Sequence, residues 1–400
     1  MSATSVYDQI RRLSDSHLPE QVDPSSRERI ALLVTGMIRA KSASPARIAE
    51  ALKQLGLTSA TTESIERRVR RIENDPELDA TLCFHPFAKQ RLVLGKPEEL
   101  LLILDPTTQE DRVVMICASV WYQGRALPLA WMVWPANQPL TDDRFWQRVE
   151  ALLDTVATLL PAGVKITWTA DRAFGTPAFT DLVTARGWHF VVRVQGKTLC
   201  QDQKGIRCHV EELIYLPGQR KKLRAKVFKK RGWRQASIVV YWGRKYSTPL
   251  CLVSDLPPQW TLIHTYRRRY SIEATFRHYK SFGWHWEQGQ VTNLEHIERL
   301  LVGMALATWI VLGVGTQVAK EHLAKPPTGR RHTMPWIGKR SLFHLGLDRL
   351  HEWFGEEGPI TLCWQLNHWN ALNWSQQIYF HHARAFVFAS RTKEVTCSLA

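Results

Sequence analysis

The sequence lacks the cysteine spacing of a structural metal site or of a disulfide framework. None of its seven cysteines forms a CxxC pair, and Cys200, Cys208 and His209 have no further ligands at the usual zinc spacing. We therefore expect no structural zinc. An odd number of cysteines in a long chain without a signal-peptide pattern is typical of a reducing cytoplasm, so we predict a cytoplasmic protein with its thiols in the core.

Low-complexity tracts and obvious repeats are absent, and acidic residues are scarce. The 400 residues include 37 Asp and Glu against 53 Lys and Arg, which gives a net charge of +16. This excess favours a polyanionic partner, either a nucleic acid or an anionic membrane surface. The composition, 44% apolar and 22% charged, is that of a globular protein. Its length suggests about two or three domains.

A single stretch, Leu300–Ala319, lacks charge over a length that could cross a bilayer. It contains several Gly, Thr and Gln residues, continues the amphipathic segment "NLEHIERLL" and lacks aromatic anchors on both sides. We interpret it as a buried helix and expect no membrane partner. A membrane-anchored basic protein is the alternative at this point.

Residues 1–90 are rich in Ala, Leu, Arg and Glu and are predicted to be helical. The segment "SPARIAEALKQLG" begins with a Ser44-Pro45 helix signal and ends at Gly56. The next segment, "TTESIERRVRRIEND", begins at an N-cap Thr and carries four arginines. This pattern fits a DNA-binding helix-turn-helix, and it fits equally a helical hairpin with a solvated charged face.

The region 91–194 is predicted to alternate strands and helices. The strands and helices are Glu99–Asp105, Arg112–Tyr122, Arg125–Pro135, helix Asp142–Leu160, Val164–Ala170, helix Pro177–Arg186 and Trp188–Val194. The order β-β-β-α-β-α-β is that of a ribonuclease H-like core. We predict an α/β fold with such a mixed-sheet core, a β-rich insertion, and helical N-terminal and C-terminal regions.

The insertion is predicted at residues 195–260 and is strongly basic. From Gly218 to Arg234 it holds nine Lys and Arg and no acid. Such a run is usually a solvated face, but the interleaved aromatic residues favour contact with single-stranded or distorted duplex nucleic acid. Those aromatic residues are Phe228, Trp233, Tyr241 and Trp242. A core helix within 261–295 and a helical region 296–400 follow, with a Pro/Gly/Arg break at Lys325–Arg331.

Two aspartates are placed at predicted strand ends. Asp105 ends the first apolar run and Asp171 directly follows the fourth. If those strands are parallel neighbours, both carboxylates project into one crevice, where α/β sheets bind their ligands. Either residue alone would be an ordinary turn or cap residue.

A third carboxylate lies in the basic and aromatic tract "YRRRYSIEATFRHYK". At about 100° per residue, Tyr266, Arg269, Glu273 and Lys280 form one stripe about 60° wide on a helix. The apolar residues between them turn away, where they can pack on the sheet. An ordinary amphipathic helix with an exposed Glu is the alternative.

The spacing Tyr266-x2-Arg269-x3-Glu273-x6-Lys280 resembles the Y-R-E-K signature of IS4-type bacterial transposases, which belong to the DDE superfamily. The segments "LILDPT" and "TADRAFG" resemble the surroundings of the first two acids of that family. The segments "FGWHWEQGQVTNLEHIERLL" and "SLFHLGLDRL" resemble its later part, so the resemblance covers about Leu101–Leu350.

The resemblance implies that Asp105, Asp171 and Glu273 are catalytic and hold two Mg²⁺ ions, for which Mn²⁺ can substitute. Oxygen ligands suit Mg²⁺, and a pair of ions can neutralise both the attacking and the leaving oxygen of a phosphodiester. In this interpretation Glu273 does not repel DNA, because it holds the cation that attracts the phosphate.

The implied DNA-binding residues are Tyr266, Arg269, Lys280, Arg172, Trp233 and Trp242. Arg269 is expected to bind a phosphate through a forked contact, and Arg172 can either contact phosphate or form a strand-end salt bridge. Either tryptophan can stack on a flipped base or pack within the insertion.

The implied function is cut-and-paste transposition by a homodimer on DNA, associated with the nucleoid of a bacterial cytoplasm. Water would nick the element end, and the freed 3′-hydroxyl would attack target DNA. A transposase-derived protein that binds without cutting is one alternative. A structure-selective nuclease of the same fold is another.

Overall fold

The structure is a computed structural model, and it describes residues 3–289, 291–324, 341–355, 360 and 362. The predicted break at Lys325–Arg331 lies outside the described residues. So does most of the predicted C-terminal helical region after residue 355.

Residues 3–94, all described, form six helices. They are α1 (Ala3–Asp15), α2 (Pro24–Ala40), α3 (Pro45–Gln54), α4 (Thr62–Glu73), α5 (Ala80–Cys83) and α6 (His85–Leu94). Ser44 is the N-cap of α3, and Gly56 beyond its end has a φ of +68°. Thr61 caps α4 by accepting a hydrogen bond from the Ser64 N–H. The predicted helical character is confirmed, whereas DNA binding by α3 and α4 stays a prediction.

The described residues contain a sheet of ten strands in the order β3-β2-β1-β4-β5-β10-β9-β8-β6-β7. The strands are β1 (Glu99–Gln109), β2 (Val113–Tyr122), β3 (Arg125–Pro135), β4 (Lys165–Ala170), β5 (His189–Arg193), β6 (Leu199–Gln201), β7 (Arg207–His209), β8 (Arg220–Val227), β9 (Arg234–Tyr241) and β10 (Leu250–Ser254).

The first five strands form the ribonuclease H-like core. β1, β2 and β3 are an antiparallel meander, and β4 and β5 add to β1 in parallel. The crossover helices are α7 (Asp142–Leu159) and α8 (Pro177–Ala185). The predicted fold class is confirmed, and most predicted boundaries agree within one residue.

β1 differs from its prediction because it continues four residues beyond Asp105, to Gln109. The apolar run stops at Asp105, but the chain goes on pairing with β2, so that Pro106 lies opposite Ile116. β4 pairs with β1 no further than Leu104, so the proline lies where its strand has a single neighbour, and proline is tolerated there.

The basic insertion extends the core sheet and is not a separate layer. β8 and β9 form an antiparallel hairpin, as predicted, and β10 joins β9 to β5. The backbone of the insertion is therefore continuous with the strand next to β4. Its faces lie on the same two sides of the sheet as the faces of the core.

The segment that carries Glu273 is less regular than the predicted helix. It consists of α9 (Thr261–Arg267), a 3₁₀ turn (Arg268–Tyr270), α10 (Ser271–Arg277) and a π-helical turn (His278–Phe282). The side chains of Ile272, Phe276 and Tyr279 are buried as predicted. The 3₁₀, α-helical and π-helical turns have different numbers of residues per turn. A uniform rotation of about 100° per residue therefore does not describe the stripe from Tyr266 to Lys280.

The remaining described helices are α11 (Leu294–Ala324) and α12 (Leu342–Trp353). Part of α11, Leu294–Glu321, is the one described segment that is long and apolar enough to cross a membrane, yet 89% of its most apolar window is buried inside the protein. Trp309 of α11 donates to the Pro128 carbonyl in β3 at 2.8 Å and packs on Phe87 of α6. The interpretation of this run as a buried core helix is confirmed.

Candidate active site

The sheet brings Asp105 and Asp171 together. In the parallel pair, Leu104 lies opposite Ala170, and the two aspartates are the next residue of each chain. Since the strands run side by side, both carboxylates emerge at the same point along the sheet. The charge of Asp171 raises the pKa of Asp105, which shows that the two groups interact.

Asp105 is buried, with 6% of its surface exposed. Burial, together with the charges of Asp171 and Glu273, raises its pKa to about 7, although the guanidinium of Arg269 opposes the rise. A carboxylate in this position is costly to ionise without a nearby cation. The environment of Asp105 therefore favours the binding of a cationic group, either a basic side chain or a metal ion.

Arg269 supplies that positive charge in this structure. Its Nη1 donates to Asp105 Oδ1 at 2.7 Å, and its Nη2 lies 3.5 Å from Glu273 Oε1. The residue is 7% exposed, and its guanidinium lies 4.7 Å from the centroid of the Tyr270 ring. Burial lowers the pKa of Arg269, but Asp105 and the other acids around it raise it more, so the group stays charged. Arg269 thus joins two of the three carboxylates.

Glu273 lies on α10, four residues after Arg269. Its side chain keeps 43% of its surface exposed. Burial of the rest raises the pKa of Glu273, and the guanidinium groups of Arg269 and Arg277 oppose that rise. The residue therefore lies at the border between the buried ion pair and solvent, where a ligand can reach it.

Asp171 caps the short 3₁₀ turn that follows β4. Its Oδ1 accepts a hydrogen bond from the Ala173 N–H at 2.7 Å, which orients the carboxylate. The loop behind it lies very close to β5, because a Cβ on Gly175 would lie 2.1 Å from the Arg193 carbonyl oxygen. Only glycine allows that approach. The glycine of "DRAFG" is thus explained by packing, and Arg172 beside Asp171 is exposed.

Lys280 lies in the π-helical turn and not on a continuous α-helix. Its Nζ is 3.7 Å from Glu287 Oε1. An open surface pocket beside Glu273 is lined by Glu273, Phe276, Arg277, Lys280, Ser281 and Glu287. The structure therefore places the last residue of the stripe next to the same opening as Glu273.

Tyr266 is fully buried, although its position in the stripe suggested a DNA contact. It packs in a small hydrophobic cluster with side chains of β5, β9, β10 and α9. Burial raises the pKa of its hydroxyl to about 12. The hydroxyl oxygen has no hydrogen-bond partner among the described residues. The Tyr266 side chain thus packs α9 against the sheet. Its contact with DNA stays a prediction.

Trp233 and Trp242, the two insertion tryptophans that are predicted to contact DNA, lie at opposite ends of β9. Trp233 precedes the strand and lies 5.8 Å from the guanidinium of Arg207. Trp242 follows it, and its Nε1 donates to the Tyr246 carbonyl at 2.8 Å. Both rings are half-buried. A base-stacking role for either ring stays a prediction.

The carboxylate triad, defined as Asp105, Asp171 and Glu273, has the donor chemistry that Mg²⁺ requires. All of its ligand atoms are carboxylate oxygens, and their mutual repulsion favours a cation among them. Within the described ranges no three acidic, His or Cys side chains are already drawn together at metal-binding distances. The guanidinium of Arg269 contacts both Asp105 and Glu273, where a metal cation would otherwise lie between them. The residues fit the ion, provided that Arg269 gives up these contacts.

The buried Arg269–Asp105 pair was missed by the sequence interpretation, which assigned Arg269 to phosphate alone. The spacing of four residues to Glu273 does indicate one ion pair on a helix. The contact with Asp105 joins residues 164 apart in the chain, and no local pattern carries it.

Residues 144–310 match the sequence model of a family described as transposase DDE domain. The matched stretch contains Asp171, Arg269 and Glu273 and begins after Asp105. A cryo-EM structure of a piggyBac transposase synaptic complex with hairpin DNA is similar at 10% identity, covering 89% of this chain and 79% of that chain, with a TM-score of 0.44. No curated protein matches the chain.

Proposed function

We propose that this chain cuts and joins DNA at the ends of an insertion sequence, on the premise that its residues 144–310, which match the sequence model of the transposase DDE domain family, form such a domain. The observation that carries the proposal is the convergence of the carboxylate triad from three distant segments. Asp105 lies on β1, Asp171 after β4 and Glu273 on α10, and the charges of Asp171 and Glu273 both raise the pKa of Asp105. The interpretation as an IS4-type, cut-and-paste element is part of this proposal.

Asp105, Asp171 and Glu273 would hold two Mg²⁺ ions, for which Mn²⁺ can substitute. When bound, such ions neutralise charge on the attacking and leaving oxygens of a phosphodiester. Asp171 is oriented for this role by the Ala173 N–H, and Asp105 is held in a water-poor position by burial. The triad would thus supply carboxylate oxygens as the ligands of both ions.

Arg269 has two successive roles in the proposal. Before DNA binds, it balances the charges of Asp105 and Glu273, which would otherwise repel each other across the site. Once those carboxylates have another cation, its guanidinium is free to form a forked contact with a phosphate. Arg172 directly follows Asp171, and Lys280 follows Glu273 in the chain. Both would contact neighbouring phosphates.

The reaction has two parts. Water attacks the phosphodiester at the element end and leaves a 3′-hydroxyl, which then attacks a phosphodiester of target DNA. Cleavage of the second strand would proceed through a hairpin, with a flipped base stacked on Trp233 or Trp242. Because two ends must be held together, we propose a homodimer on DNA.

Cleavage of a duplex that carries the inverted repeats flanking the gene tests the proposal. With Mg²⁺ the wild-type protein should release 3′-hydroxyl ends. Asp171→Asn should bind the duplex but cut about 10³-fold more slowly, since bound cations contribute several kcal/mol to the transition state. Asp143→Asn, an exposed acid at the start of α7, is the matched control and should cut normally.

The same assay separates the alternative functions. Equal cutting by wild type and Asp171→Asn would refute the assignment of the triad. Binding without any cutting would indicate a DNA-binding protein that has lost catalysis. Precut ends that are never joined to target DNA would indicate a nuclease.

A further inference from the structure

The insertion carries a row of basic side chains along one face of β8. Alternate residues of a strand share a face, so Arg220, Lys222, Arg224 and Lys226 point the same way. We call these four residues the β8 row. All four are exposed. Their antiparallel partners on β9 include Tyr241 opposite Arg220.

The β8 row lies on the same face of the sheet as α9. Arg220 and Lys222 lie over the ring of Trp260, at 4.7 Å and 5.5 Å from its centroid, and Trp260 immediately precedes α9. Arg267 at the end of α9 lies 5.4 Å from the centroid of the Tyr241 ring. Two aromatic rings therefore hold three cationic groups beside one another, between β8 and the helix that leads to the triad.

The charges of the row have no acidic partner in the part of the chain that the structure describes. Within the described parts of the chain, none of its members forms an ion pair with a carboxylate. The Asp255 carboxylate, the acid near this face, is taken by His189 and by the Phe190 N–H, and Arg224 contacts only its backbone carbonyl.

The tip of the same hairpin behaves differently. Arg231 lies 3.4 Å from Asp142 of α7, and Arg234 lies 3.0 Å from Asp181 of α8. The fold thus supplies acids to Arg231 and Arg234, whereas the β8 row has no such partner among the described residues. A row of uncompensated cations is complementary to a polyanion.

We propose that the β8 row, with Arg267, binds the phosphate backbone of the end DNA whose cleavage site lies at the triad. The inference rests on the proposed function. From Arg220 to Lys226 the strand spans about 20 Å, the axial length of about six base pairs. Glu273 follows Arg267 by about 9 Å of helix, so the surface continues into the active site. In the proposed reaction, the end DNA occupies the active site during both cleavage and joining. A basic surface that continues into the triad should therefore contact the end DNA.

Charge removal in full-length protein tests the assignment. The row variant is Arg220→Gln, Lys222→Gln and Arg224→Gln together. The tip variant, Lys229→Gln, Lys230→Gln and Arg231→Gln, removes the same charge from the same hairpin and is the control. Affinity for the end duplex is measured by fluorescence anisotropy at several salt concentrations.

Each lost phosphate contact lowers the slope of log affinity against log salt by about 0.9. The row variant should therefore lose about 2.7 from the slope and bind about tenfold or more weakly at low salt, whereas the tip variant should lose less than one. A variant with Lys in place of Arg220 and Arg224 keeps the charge and should keep the slope. Unchanged melting temperatures would show that every variant is folded.

Three outcomes would overturn the inference. One is a row variant that keeps the wild-type slope while wild type binds and cuts the end duplex. Another is an equal loss in the row and tip variants, which would indicate a general effect of net charge. The third is a row variant that binds and cuts ends normally but fails to join them to target DNA. If wild type itself neither binds nor cuts, the proposed function fails first.

Discussion

The active site and the β8 row differ in how their charged side chains are balanced. In the active site, Asp105 is 6% exposed and the protein provides its counter-charge through Arg269. On β8, the cationic groups of the row are exposed, and no carboxylate among the described residues pairs with them. A buried charge must be balanced within the fold, because its desolvation costs free energy. An exposed charge is stabilised by water and can remain unpaired until a ligand binds. The first region is thus expected to control stability and chemistry, and the second to control affinity.

The largest expected effect comes from breaking the buried pair. Arg269→Met leaves Asp105 buried without its cation, which should lower the free energy of unfolding by about 3–5 kcal/mol at pH 8. The double variant Arg269→Met/Asp105→Asn should recover most of that loss, because no charge is left uncompensated. Urea unfolding of the metal-free proteins measures both. A loss below about 1 kcal/mol for the single variant would mean that, without Arg269, Asp105 takes up a proton or is reached by water.

The pH dependence of stability gives a second measure of the same burial. The pKa of Asp105 is raised from 3.8 to about 7, so the folded protein binds this proton more tightly than the unfolded chain does. The contribution of Asp105 is therefore full at acid pH and is lost as pH rises from about 4 to about 7, by at most about 4 kcal/mol. Relative to Asp105→Asn, wild type should become less stable over this range. A constant difference between the two unfolding curves would contradict the raised pKa.

The packing behind Asp171 should be sensitive to a single methyl group. Gly175→Ala places a Cβ 2.1 Å from the Arg193 carbonyl, so the loop must shift, at a cost of about 1–3 kcal/mol. Cleavage of the end duplex should fall more than binding does, because the β8 row is remote from this loop. Equal losses in cleavage and binding would indicate general unfolding, which circular dichroism would detect.

Metal affinity should depend on pH through the same carboxyl group. A proton on Asp105 competes with the cation, so below about pH 7 each unit should weaken binding about tenfold. Calorimetry with Mn²⁺ at pH 6 and pH 8 measures this. Affinity that does not change between these values would show that Asp105 is not a ligand.

The smallest expected effect on stability belongs to the β8 row. Replacing its exposed cations with Gln should change the free energy of unfolding by no more than about 0.5 kcal/mol. The same replacement should change salt-dependent DNA binding strongly. A large loss of stability would show that the Trp260 contacts hold the insertion together, and the contrast with Arg269 would weaken.

Much of the fold follows from local patterns. The apolar runs of the core and the caps at Ser44 and Thr61 lie where the sequence predicts them, because alternation and capping involve residues close in the chain. The extension of β1 beyond Asp105 was not predicted, since it depends on pairing with β2. The π-helical turn before Gly283 was not predicted either. It changes the position of Lys280 around the helix axis from the one that a regular α-helix would give.

The candidate site divides in the same way. Residue types and spacing pair Asp105 with Asp171, single out Glu273 and identify a basic, aromatic insertion, whereas the three acids form one set only through the resemblance to IS4-type transposases. Only the packed chain decides that Arg269 is buried against Asp105 and that Tyr266 belongs to a hydrophobic cluster. It also decides that Arg231 and Arg234 meet acids, while the β8 row meets none among the described residues. The reason is physical: desolvation and ion pairing depend on which distant segments come into contact, and chain spacing carries no record of those contacts.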